Sequence, residues 1–113
     1  RRRRNYQAIC EKLAGVPGIE LLKPDLGPGT VPYMVPLRLP GLRRIFATLE
    51  DRAVPMQRFG QFLAPGLDEA LCPVSSDLSH HGLQLPCHQS LWDDEIDWMV
   101  EQLSDICRAA GRA

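Results

Sequence analysis

The sequence has no long apolar run. Its uninterrupted hydrophobic stretches are a few residues long, against the roughly 20 that a bilayer-spanning helix needs, so no transmembrane helix is expected. It also lacks an excess of charge. Thirteen basic and fourteen acidic side chains leave a formal net charge of −1, which gives no electrostatic hold on nucleic acid or an anionic membrane. The only basic run is Arg1 to Arg4, and no aromatic is interleaved with it as a base-stacking surface would require. No apolar segment follows that run, so it does not read as a secretory signal. The signatures G-x-S-x-G, G-x-x-x-x-G-K-[ST] and G-x-G-x-x-G are missing, which removes the usual local cues for a nucleophile elbow, a P-loop or a dinucleotide fingerprint. Gly27-Pro28-Gly29 is glycine-rich, but Pro28 lacks the backbone donor that a phosphate cradle uses. There is no internal repeat.

What is present suits one globular unit. Residues 1–113 are long enough for a single domain, and 44% hydrophobic with 24% charged residues is enough for one core. Nine glycines and ten prolines gather at 15–41 and 55–86, where short strands and turns are expected; the two ends of the chain read as helices. Tyr6, Ile9, Cys10 and Leu13 make a helical stripe over 3–14, closed by Gly15 and Pro17. A short strand is expected at 19–23. Val31, Tyr33, Val35, Leu37 and Leu39 alternate as a strand, with Pro32 and Pro36 weakening one edge of it. Leu42, Ile45, Phe46 and Leu49 predict a second helix over 41–52, and a strand follows near 55–59. Residues 60–82 read as mostly irregular. Leu83, Leu85 and Cys87 alternate as a last strand. Trp92, Ile96, Met99, Val100, Leu103, Ile106 and Cys107 recur at helical steps, behind a Ser90-x-x-Asp93 cap. The expected class is α+β, a small antiparallel sheet with helices packed on one face.

Few residues suggest local chemistry. Cys72, His80, His81, Cys87 and His88 are thiol and imidazole groups that could hold zinc, but no C-x-x-C or H-x3-H pairing supports it; buried thiols and turn-capping or exposed histidines account for them better. Adjacent Cys87 and His88 point to opposite faces of a strand and cannot act as a nucleophile and base. Asp93, Asp94, Glu95 and Asp97 crowd the start of a helix, where carboxylates complement the macrodipole. Cys10 and Cys107 fall on helix stripes as small hydrophobes, and four cysteines without a secreted framework point to a reducing, cytoplasmic compartment.

Four segments together carry a resemblance. Arg1 to Tyr6 (RRRRNY) is similar to an arginine-rich helix that leads into a small domain. Pro32 to Leu39 (PYMVPLRL) resembles a P-Y-x-x-P-L-R strand. Phe46 to Pro55 (FATLEDRAVP) resembles an L-x-x-R-G-[IV] helix-to-strand turn. Leu78 to Leu91 (LSHHGLQLPCHQSL) resembles an L-S-x-x-x-L-x-L-P-x-H-x-x-L segment before a terminal helix. In this order they resemble the C-terminal small domain of the DegT/DnrJ/EryC1/StrS family of pyridoxal-phosphate aminotransferases, many of which act on keto-sugars or nucleotide-linked keto-sugars.

The resemblance implies the small domain of a fold type I transferase. It implies no cofactor in this fragment and pyridoxal 5′-phosphate in the full-length enzyme, held by a large domain on the same chain or a separate one, in a homodimer. The Schiff-base lysine of that family lies in the large domain; here the two lysines, Lys12 and Lys23, have no such context, and the fragment alone is expected to be inactive. By position, Arg58, Phe59 and Gln61 would complete the active-site wall and bind substrate, Arg58 through a phosphate or carboxylate and Phe59 by stacking. His88 would fix the segment before the last helix. The alternative is a stand-alone protein-interaction module that reuses the fold.

Overall fold

A computed structural model describes residues 1–58 and 70–112. Its elements are α1 (Arg2–Leu13), β1 (Glu20–Leu21), β2 (Met34–Arg38), α2 (Leu42–Asp51), β3 (Gln57–Arg58), α3 (Pro73–His81), β4 (Gly82–Pro86) and α4 (Asp93–Arg112). The four strands form one antiparallel sheet in the order β1-β2-β4-β3. Val35 faces Leu85 and Leu37 faces Leu83 across the central pair, and these four are fully buried. The helices α1, α2 and α4 lie over that face and supply Tyr6, Ile9, Leu13, Leu42, Leu49, Met99 and Leu103 to one continuous core. The opposite parity, Met34, Pro36, Gln84 and Pro86, is half-buried. The α+β class, with a small antiparallel sheet, is the one the periodicities predict.

The helix stripes hold with two changes. Phe46 of α2 is only half-buried, and Trp92 is 67% exposed and lies outside the stripe of α4. The cap of α4 also differs. The helix begins at Asp93, not under Ser90. Glu95 reaches back so that its Oε1 accepts the Trp92 N–H at 2.8 Å, which is the return half of a capping box.

The second strand prediction was too long. β2 starts at Met34, and Val31 and Tyr33 are exposed at 73% and 76%. Pro32 cannot donate to a ladder, and the segment before Met34 is held instead by Arg2 and Arg3 from α1. The proline edge is indeed the weak one. It faces β1, which pairs for two residues only; beyond them the Leu22 N–H donates to the Pro36 carbonyl, and Pro36 has no N–H to return.

The largest correction lies in the stretch read as irregular, where Pro73–His81 is a helix. Pro73 occupies its first turn, where a missing N–H costs nothing. Only Ser79 of its nine residues is fully buried, so there was no apolar stripe to reveal it.

Candidate functional site

The terminal arginine run is spent inside the molecule. The Arg1 guanidinium donates to the Leu91 carbonyl at 3.0 Å and lies over the Trp92 ring. Arg2 donates to Gln89 Oε1 at 2.8 Å. Arg3 donates to the carbonyls of Gly27 and Thr30 at 2.9 and 2.7 Å, and Arg4 pairs with Asp93. The run thus ties α1 to the 27–32 loop and to the segment before α4. The next residue, Asn5, is buried, and its Nδ2 donates to the His88 carbonyl at 2.9 Å. The segment before the last helix is therefore fixed by Asn5 and by the backbone of residue 88. The imidazole of His88, expected to do that work, is exposed.

The cysteines and histidines do not converge. All four cysteines are free, three of them buried. The Cys87 thiol faces the Pro32 carbonyl, Cys72 precedes α3, Arg43 holds His80 and Asp77 holds His81. No group of three potential metal ligands gathers among the described residues. Burial pushes the Cys107 thiol up to about 11 and raises those of Cys10 and Cys87, so none of these three is poised as a nucleophile.

Neither lysine fits the amine that captures a pyridoxal aldehyde. Lys12 is exposed on α1 and pairs with Asp97 at 2.8 Å. That carboxylate raises its pKa, opposite to the shift a Schiff-base lysine needs. Lys23 is exposed in the loop after β1, and its carbonyl accepts the Tyr6 hydroxyl. No catalytic step can be built on either.

Of the three expected wall residues, Phe59 and Gln61 lie outside the described residues. Arg58 ends β3 on the helix-covered side of the sheet, opposite Leu83. Its Nη2 donates to the Ser79 carbonyl at 2.8 Å, its guanidinium carbon is 5.4 Å from the centre of the Phe46 ring, and its buried Nε has no acceptor among the described residues. It is a partly buried, oriented cation on the last described residue of β3.

Beside it is a polar cluster that sequence reasoning missed. Arg38, the arginine of PYMVPLRL, grips Asp77 of α3 through two parallel bonds, Nε to Oδ2 and Nη2 to Oδ1, both 2.8 Å. Arg38 Nη1 donates to Glu20 at 3.2 Å, and His81 Nδ1 lies 3.0 Å from Asp77 Oδ1. The Arg38 guanidinium holds the Asp77 carboxyl well below the usual carboxylate range.

The class defined by this architecture is a helix-covered antiparallel domain that lacks a complete catalytic centre among its described residues. Comparison with solved structures finds the same fold elsewhere. The chain superposes on an aminotransferase, TlmJ, from Streptoalloteichus hindustanus over 97% of its length, with TM-score 0.79 and 22% identity. It superposes on DesV of S. venezuelae, solved with a ketimine intermediate, over 95% of its length at TM-score 0.76 and 20% identity. A DegT DnrJ EryC1 StrS aminotransferase from Brucella abortus matches over 96% at TM-score 0.68 and 20% identity. The chain spans about a third of each of those chains, 32%, 31% and 30% in the same order. No family model and no curated protein sequence matches it. The shared fold is that of a portion of aminotransferases, as the four resembling segments led one to expect.

Proposed function

We propose that this chain is the C-terminal small domain of a pyridoxal-phosphate aminotransferase of the DegT/DnrJ/EryC1/StrS family, acting in the cytoplasm on a keto-sugar or a nucleotide-linked keto-sugar. The observation that carries this is coverage. Nearly the whole chain superposes on about a third of aminotransferase chains, while its two lysines are an ion-paired surface amine and an exposed loop amine. A larger domain, on the same or a separate chain, would hold pyridoxal 5′-phosphate and supply the reacting amine, and the enzyme would work as a homodimer. The cofactor would provide the electron sink for amino-group transfer. This domain would contribute the wall formed by Arg58, Phe59 and Gln61, Arg58 meeting an anionic oxygen of the substrate and Phe59 stacking on it.

The test is a comparison of the isolated chain with the same chain joined to, or co-expressed with, the large domain from its gene. The isolated chain is expected to give no cofactor absorbance and no amino transfer; the completed enzyme is expected to give both. Amino transfer by the isolated chain, or a borohydride-fixed pyridoxyl adduct on Lys12 or Lys23, overturns the proposal. The half-buried sheet face of Met34, Pro36, Gln84 and Pro86 favours one other reading, a stand-alone interaction module. A native reading frame with no cofactor-binding domain upstream would decide for it.

A further inference from the structure

We infer that Asp77 is a positioning residue for Arg58, and that it acts through α3. The inference rests on the wall proposed above and names what holds its Arg58 in place. A nine-residue helix with a single fully buried residue has neither the length nor the apolar face to stay folded by itself. Arginines from three different elements hold it. Arg38 of β2 takes Asp77 through the two 2.8 Å bonds, Arg43 of α2 meets His80 Nδ1 at 2.6 Å, and Arg58 of β3 takes the Ser79 carbonyl at 2.8 Å.

The last of these contacts works in both directions. At the end of α3 the Gly82 N–H bonds to the Leu78 carbonyl, so the carbonyls of residues 79–81 lie beyond the helix ladder. The Leu39 N–H takes that of His81 at 2.9 Å, and Arg58 takes that of Ser79. Arg58 is thus the cation at the negative end of α3, and α3, together with the Phe46 ring, orients Arg58. The position of the Ser79 carbonyl is set in turn by the forked Arg38–Asp77 pair, which fixes both distance and orientation. Asp77 acts on Arg58 at one remove, by placing the helix whose Ser79 carbonyl accepts the Arg58 hydrogen bond.

The coupling can be read in this chain without substrate, as the hydrogen-exchange rate of the Arg58 Nε–H followed by nitrogen-15 arginine NMR. Asp77→Asn is expected to raise that rate about tenfold, the equivalent of one charge-assisted contact. Asp77→Glu, which keeps a carboxylate for Arg38, is expected to restore most of the protection. Asp97→Asn, which breaks the Lys12 pair instead, is expected to leave the rate unchanged. Should Asp77→Asn fail to fold, Arg38→Lys removes the fork while keeping the charge, with the same expected rise. An Arg58 rate unmoved by the Asp77 or Arg38 substitution, or moved equally by Asp97→Asn, overturns the inference. In the completed enzyme, Asp77→Asn is expected to raise KM for the amino acceptor about tenfold with kcat within about twofold, and Arg58→Gln to raise KM at least as much. A raised KM in Arg58→Gln alone overturns the role of Asp77; an unchanged KM in both overturns the wall beneath it.

Discussion

Asn5 is the polar residue in the buried stripe of α1, 1% exposed, and its amide is what holds the chain before α4 in place. Truncating it leaves the His88 carbonyl short of a donor beside the core. Asn5→Ala is therefore expected to cost roughly 1–3 kcal/mol, measured as a shift in the urea midpoint by tryptophan fluorescence. His88→Ala, which removes an exposed ring, is expected to stay within about 0.5 kcal/mol. The sequence pointed to the histidine because it sits in the L-P-x-H position. The cue for Asn5 was weaker but present: it lies one turn before Ile9, on the face that Ile9 and Leu13 bury. Its partner is 83 positions away, and periodicity carries no information about a pairing at that distance. The same holds for Arg1 to Arg4, whose spacing suggests a surface and whose partners lie in the 27–32 loop, the segment before α4 and Asp93 of α4.

Among the elements, those with an apolar period were legible and the one held by polar contacts was not. The stripes of α1, α2 and α4 and the alternation of β4 could be read directly, because burial of those side chains is what makes the elements form. α3 offers Pro73 and a run of serine, aspartate and histidine, which resembles a loop until Arg38, Arg43 and Arg58 arrive from elsewhere. Terminal geometry was legible to within a few residues. Ser90 looked like the cap of α4, but the Trp92 N–H is taken by Glu95 Oε1 and the Glu95 N–H by Asp94 Oδ1. Glu95→Ala is accordingly expected to destabilise the protein by about 1 kcal/mol and Ser90→Ala by less than about 0.5 kcal/mol. Thermal unfolding of the two variants beside the parent chain separates these assignments, since a larger loss in Ser90→Ala would put the cap back where the sequence suggested.

At the scale of the whole molecule, one helix-covered face concentrates the groups that dislike charge, while the rim of the sheet carries the charged cluster, and this division sets the pH range of the fold. Burial raises Tyr6 to about 12 and Cys107 to about 11, and raises Cys10 and Cys87. A folded pKa above the unfolded one means that stability is complete below the unfolded value and is lost as pH rises towards the folded value. For the thiols and Tyr6 the loss begins near 9 and 10, the ordinary values. From these rises Tyr6 and Cys107 are each expected to contribute on the order of 2–3 kcal/mol to that loss. Together they approach the lower end of the roughly 5–15 kcal/mol that a domain has in total. Asp77 has the opposite sign. Arg38 depresses its carboxyl, so its contribution is present above the ordinary value of 3.8 and declines only as pH falls below it. The urea midpoint, measured under reducing conditions, is expected to be level from about pH 5 to 9, to drop steeply between 10 and 12, and to fall again below 4. Tyr6→Phe loses the bond to the Lys23 carbonyl, costing about 1 kcal/mol at neutral pH, yet it should make the alkaline limb shallower, because the phenol no longer has a proton to give up. A midpoint that stays constant from pH 9 to 11.5 would mean that water reaches Tyr6 and Cys107, and that the helices do not close over the sheet as described.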